Sequence, residues 1–108
     1  MERLKQRSDF LRAARANVVR RHAFMLQARD RNEGGSVRVG FTCSKKVGNA
    51  VARNRAKRRL REVARLDLPA LARPGWDYVL IGRRDITAAL DFAELRAELA
   101  RAVEMAHR

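Results

Sequence analysis

Between Lys45 and Arg65 the chain carries nine Lys or Arg, at positions 45, 46, 53, 55, 57, 58, 59, 61 and 65, against one acid, Glu62. From Asn49 onward this run has a helical period. Ala52, Ala56, Leu60, Val63 and Ala64 share one flank, and most of the basic side chains take the rest of the circumference. Such a helix has to lay its apolar flank on a core supplied by the rest of the chain. Its other side then offers a polyanion a row of guanidinium groups, and the simplest such polyanion is nucleic acid.

With 108 residues the chain is expected to be one domain spanning 1–108, large enough for a modest core. Its 25 Lys plus Arg against 12 Asp plus Glu give a net charge of +13, a self-repelling surface that calls for an anionic partner. Hydrophobic residues at 46% argue against disorder. Residues 1–7 contain no apolar signal core, and the longest apolar runs, Ala23 to Leu26 and Tyr78 to Ile81, are too short to span a bilayer. No membrane association is expected, and the cytoplasm is the expected compartment. A single Cys excludes an intrachain disulfide, and two His make a Cys/His zinc site a poor reading. Cys43 reads as a small buried hydrophobe.

The pattern predicts six elements in the order α-β-β-α-β-α. Ser8 caps a short helix reaching Ala16, with Phe10 and Ala13 or Ala14 inward. His22 to Arg29 reads as a strand, and Asp30 to Ser36 as a hairpin loop. Val37 to Ser44 alternates as a second strand. The basic helix follows Gly48 and is closed near Pro69. Trp76 to Arg83 is a third strand. A last helix starts near Asp91, where Asp91 and Glu94 suggest a capping box, and Phe92, Leu95, Leu99, Val103 and Ala106 form its apolar stripe.

The same residues offer little to a catalytic reading. A metal-dependent nuclease needs clustered carboxylates, or a His with a positioned base. Here Asp67, Asp77, Asp85 and Asp91 are scattered over ends and turns, His22 and His107 lack companions, and Gly34-Gly35 is turn punctuation. No protein catalytic residue and no protein metal site is predicted.

The binding constellation is richer. Arg53, Lys57 and Arg61, spaced i, i+4, i+8, form one row beside the apolar flank. Asn54, Arg58 and Arg65 lie next to it, while Arg55 and Arg59 point further round. Arg forks pair with phosphate at two points and stack on bases, and Asn adds a donor and an acceptor for a ribose or base edge. A solvated helix face normally mixes charge signs, and this one does not.

The run Ser44-Lys45-Lys46-Val47-Gly48-Asn49-Ala50-Val51-Ala52-Arg53-Asn54-Arg55-Ala56-Lys57-Arg58-Arg59-Leu60-Arg61-Glu62 closely resembles the motif of the bacterial ribonuclease P protein family, whose Arg-Asn-Arg falls on Arg53-Asn54-Arg55. The strand Arg38 to Ser44, the pair Asp9-Phe10, the strand around Phe24 and the segment Asp77 to Arg83 are similar as well. The resemblance implies an α/β (α+β) two-layer sandwich with a mixed sheet and a left-handed β-α-β crossover, where the general rule favours a right-handed one. It implies a subunit of an endoribonuclease that leaves a 5′-phosphomonoester on tRNA. The partner RNA would perform the magnesium-dependent cleavage, with the metal held mainly by RNA and substrate. The protein would bind ribonuclease P RNA, one protein per RNA, and the single-stranded 5′ leader of precursor tRNA in a cleft between the sheet and the N-terminal helix.

Carried onto this chain, the implied RNA-binding residues are Lys45, Lys46, Arg53, Asn54, Arg55, Lys57, Arg58, Arg61 and Arg65, with Phe10 and Phe24 in the leader cleft. Phe10 also has a reading as core. Ala14 and Gln27 depart from the pattern, since related proteins carry aromatic rings there. The rival that charge alone supports is a ribosomal RNA-binding structural protein, which explains the cations but not the ordered motif. A DNA-binding regulator lacks a second helix at helix-turn-helix spacing.

Overall fold

The apolar run Tyr78-Val79-Leu80-Ile81 forms the middle of a five-stranded sheet, as a strand buried on both faces should. The structure, a computed structural model, describes all of residues 1–108. Its strands are β1 (Glu2–Arg3), β2 (Asn17–Arg20), β3 (Phe24–Asp30), β4 (Arg38–Thr42) and β5 (Trp76–Gly82), in the sheet order β1-β4-β5-β3-β2. The helices are α1 (Arg7–Ala14), α2 (Ala50–Leu71), α3 (Ile86–Ala89) and α4 (Phe92–Ala106), with a 3₁₀ turn at Lys45–Val47 ahead of α2. β5 runs parallel to β4 and antiparallel to β3, so the sheet is mixed and β4-α2-β5 is a crossover between neighbouring parallel strands.

Strand alternation divides the sheet into two faces. Phe24, Leu26 and Ala28 of β3, Val39 of β4, and Tyr78 and Leu80 of β5 face α2 and α4. They build the main core with Leu60, Val63, Ala64 and Leu68 of α2 and Leu95, Leu99 and Val103 of α4. On the other face Val79 and the half-buried Ile81 meet Leu4, Phe10 and Ala13, so α1 covers that side in part. Gly40 of β4 makes this contact possible, because a Cβ there would stand 2.6 Å from Phe10 Cε1.

Six elements match the expected order, and β1, β2 and α3 are additional. The expected hairpin between β3 and β4 does not form. β5 is inserted between these strands, and residues 31–37 instead pass over the start of β5. There Arg31 N donates to Gly75 O at 3.1 Å, and Gly75, at φ +81°, lies against the Gly34 backbone. Glycines in residues 30–36 mark a turn but cannot say which strands it joins. Strand pairing is decided by burial, and only β5 is apolar enough for the centre.

The element ends also differ from expectation. α1 starts at Arg7 with Gln6 at its N-cap and no side-chain cap, so Ser8 is not the cap. Asp91 stands at the N-cap of α4, but its carboxylate caps nothing, and no capping box forms. Pro69 lies inside α2 and does not close it. At the third position from the C-terminus a proline removes one backbone bond, to the Arg65 carbonyl, and this exposed turn leaves that carbonyl to water. Asn49 is the N-cap of α2, its side chain accepting from Ala52 N at 2.9 Å.

Candidate nucleic-acid interface

α2 buries Ala56, Leu60, Val63, Ala64 and Leu68, which turns its basic residues outward. Arg53 and Lys57 are half-buried beside that seam, and Asn54, Arg55, Arg58, Arg61 and Arg65 are exposed. Lys45 and Lys46 are exposed on the 3₁₀ turn just ahead of the helix, which Ser44 caps through Lys46 N. Arg53, Lys57 and Arg61 all lie near the Cys43 thiol, at the end of β4. Burial pushes that thiol up, and the three cations oppose the shift. Cys43 itself is half-buried just past β4, not fully enclosed within it.

Seven of these cations (Lys45, Lys46, Arg53, Arg55, Lys57, Arg58, Arg61) make neither an ion pair nor a side-chain hydrogen bond in the structure. Arg65 pairs with Glu62, its Nε 3.2 Å from Oε2, across two exposed side chains, an arrangement that a phosphate or salt displaces easily. Arg59 is different. Its guanidinium donates to the carbonyls of Thr87, at 3.0 Å, and Leu90, and stands 5.9 Å from the Phe92 ring centroid, tying α2 to the α3–α4 junction.

On the other side of the sheet, Phe10, Leu11 and Ala14 of α1 face Gln27, Thr42 and Ile81 across an open groove of about 240 Å³, with Arg7 at its end. Phe10 is half-buried. One edge of its ring packs on Gly40 and Leu4 and the remainder lines the groove, so its two sequence readings both hold in part. Phe24 is not in this groove. It is fully buried on the α2/α4 side, because alternation groups it with Leu26 and Ala28, and its assignment to the cleft is corrected. Gln27 and Thr42 line the groove with side chains that make no hydrogen bond within the protein.

Beside the groove lies a carboxylate–arginine relay. Asp77, fully buried, accepts from Arg38 at 2.7 Å through both oxygens and from Arg31 at 2.6 Å, with Arg29 at 3.6 Å. Arg38 also reaches Asp9 at 3.3 Å, and Asp9 pairs with Arg12. Burial pushes the Asp77 carboxyl up, but the hydrogen bonds from Arg38 and Arg31 outweigh it and hold it below the ordinary aspartate value. Glu98 is tied to Arg21 and Asp67 to Arg96 in the same way. These carboxylates are thus engaged with arginine, and no group of three His, Cys, Asp or Glu is arranged to hold a metal ion. No motif or spacing in the sequence marks this relay. Its clue was Asp77 at the start of a strand that is otherwise apolar.

The Ribonuclease P family model matches residues 1–107 of the chain. The chain is 61% identical over 106 residues to the ribonuclease P protein component of Ruegeria pomeroyi, covering 96% of this chain and 85% of that relative. Among solved structures, the RNase P protein of Thermotoga maritima matches with a TM-score of 0.80 at 28% identity, covering 97% of both chains. The RNase P protein of Staphylococcus aureus matches with a TM-score of 0.79 at 26% identity, covering 98% of this chain and 95% of that one. The likeness runs through sequence and fold from one end to the other, and the chain belongs to the ribonuclease P protein family.

Proposed function

We propose that this ribonuclease P subunit grips the enzyme's RNA subunit with the Lys45–Arg65 surface. The groove beneath α1 holds the single-stranded 5′ leader of precursor tRNA, and the RNA subunit cleaves the phosphodiester bond. The observation that carries this reading is the set of seven unpartnered cations on one helix and its leading turn. A folded protein that pairs its buried acids yet leaves these cations unopposed has a surface shaped for phosphates. Each phosphate neutralised releases condensed counterions, so binding is strong at low salt and falls steeply as salt rises.

The buried acids Asp77 and Asp9 are bound to arginines, and no three His, Cys, Asp or Glu side chains are grouped to hold a metal ion, which supports leaving magnesium to RNA and substrate. On this reading the protein's part is to bind and to orient. In the groove, Phe10 offers a ring for stacking, while Gln27 and Thr42 offer hydrogen bonds. One protein per RNA and a cytoplasmic setting belong to the same proposal. No helix is long and apolar enough to cross a membrane.

Reconstitution with a bacterial ribonuclease P RNA tests the reading. The protein should stimulate cleavage of precursor tRNA, most at low magnesium, and should cut nothing by itself. Cleavage by rigorously RNA-free protein, or no stimulation of the RNA, would overturn it.

A further inference from the structure

Phe41 stands on the helix side of β4 yet is only half-buried. The reason is the short edge strand. β1 pairs with β4 only as far as Arg3 and Val39, and Leu4 N bonds the Val39 carbonyl, so Phe41 and Thr42 have no strand partner on that edge. Between this uncovered ring and α2 runs a second groove, of about 390 Å³. Buried Val39 and Ala64 with Phe41 form its floor, and exposed Arg3, Arg61 and Arg65 form its rim. No acid lines it. The Arg3 guanidinium already stands over the Phe41 ring, 5.7 Å from its centroid. The sheet separates this groove from the one beneath α1.

An aromatic platform, an apolar floor and a rim of guanidinium groups match what unpaired RNA bases require. Such bases stack on rings and arginine planes while the backbone follows positive charge. A paired base has no free face to offer. Arg61 belongs both to this rim and to the row Arg53–Lys57–Arg61, so RNA lying along the row leads into the groove. We propose that the groove takes one unpaired nucleotide of the RNA subunit. Its base lies between Phe41 and an Arg3 that lifts to admit it, and its flanking phosphates lie on Arg61 and Arg65. The proposal rests on the RNA-subunit reading of α2 given above.

Two variants test it. Phe41→Leu keeps an apolar side chain against the core but removes the ring. Arg3→Lys, at an exposed position, keeps the charge but removes the plane. Phe41→Leu should lower affinity for ribonuclease P RNA by about fivefold to a hundredfold, the worth of one base–aromatic stack. One unpaired nucleotide that wild-type protein shields from base-specific chemical probing should lose that shielding in both variants. Arg3→Lys should weaken binding at an unchanged salt slope. Should Phe41→Leu melt well below wild type, the shielding and affinity of Arg3→Lys decide the matter. Wild-type affinity and intact shielding in both variants would overturn the proposal, as would a loss seen only with leader-bearing tRNA, which would make the substrate the occupant. The triple variant Arg53→Ala/Lys57→Ala/Arg61→Ala separates the two levels. If it too binds the RNA normally, the underlying reading of α2 fails. If it alone is impaired, only the groove assignment fails.

Discussion

At Asp77 one carboxylate organises three arginines, and the consequences can be measured. Asp77→Asn would leave Arg31 and Arg38 facing a neutral amide. Removing one partner of a buried pair costs about 3–5 kcal/mol, and the partial exposure of Arg38 and Arg29 points to the lower end. Urea unfolding at neutral pH should show that loss. The carboxyl's folded pKa is lowered, so its stabilisation is complete above the unfolded value, near 4, and disappears as pH falls through the folded one. Wild-type melting should therefore drop below about pH 4 more steeply than that of Asp77→Asn. Parallel curves would show that Asp77 does not contribute to the acid limb. Phe10 calls for a subtler change, because its ring serves both packing and groove. Phe10→Leu retains an apolar side chain against Leu4 and Ala13 and removes the stacking surface. It should melt near wild type while losing about 1–3 kcal/mol of affinity for precursor tRNA and little for mature tRNA. An equal loss for both substrates would remove Phe10 from the leader groove.

At the scale of the element, α2 has two kinds of arginine, and the same substitution should separate them. Arg53→Ala/Lys57→Ala/Arg61→Ala removes unpartnered cations, so folding should survive while the salt dependence of RNA binding flattens. The slope should fall by roughly 0.9 per lost duplex phosphate contact, or about 0.7 on a single strand. Arg59→Ala should do the reverse. It deletes charged hydrogen bonds to Thr87 and Leu90 worth about 1.5–3 kcal/mol in stability, with little change in salt slope. The sequence shows that α2 is amphipathic, but not that Arg59 is engaged, since its partners lie 28 and 31 residues away. The same limit applies elsewhere. α2, α4, β3, β4 and β5 are legible because each repeats its period long enough to be recognised. β1, β2 and α3, of two to four residues, are too short for any period. Phe24 was misplaced because a strand's alternation fixes which residues share a face, but not which face is covered by which helix.

For the whole molecule, the unbalanced charge makes folding and RNA binding respond to salt with opposite sign. The chain has 25 Lys plus Arg against 12 Asp plus Glu. Asp77, Asp9, Glu98, Asp67 and Glu62 are already committed to arginines. The unopposed cations crowd α2, where like charges at i, i+4 destabilise a helix. Without RNA, that repulsion acts against the compact state. Raising sodium chloride from about 0.05 to about 0.5 M shortens the screening length from above 10 Å to below 5 Å and relieves it. The melting temperature of the RNA-free protein should rise accordingly, a gain of about 1 kcal/mol appearing as roughly 4 °C in a domain of this size. Chloride is the salt to use, because sulfate stabilises most proteins through exclusion from their surface. The Arg53→Ala/Lys57→Ala/Arg61→Ala variant should show a smaller rise, since it has already lost three of the repelling charges. RNA binding by the wild type should weaken over the same range, as counterion release becomes less favourable. A melting temperature that stays flat or falls with chloride would mean that the basic surface is not under repulsive strain, and that the protein does not need a polyanion to relieve it.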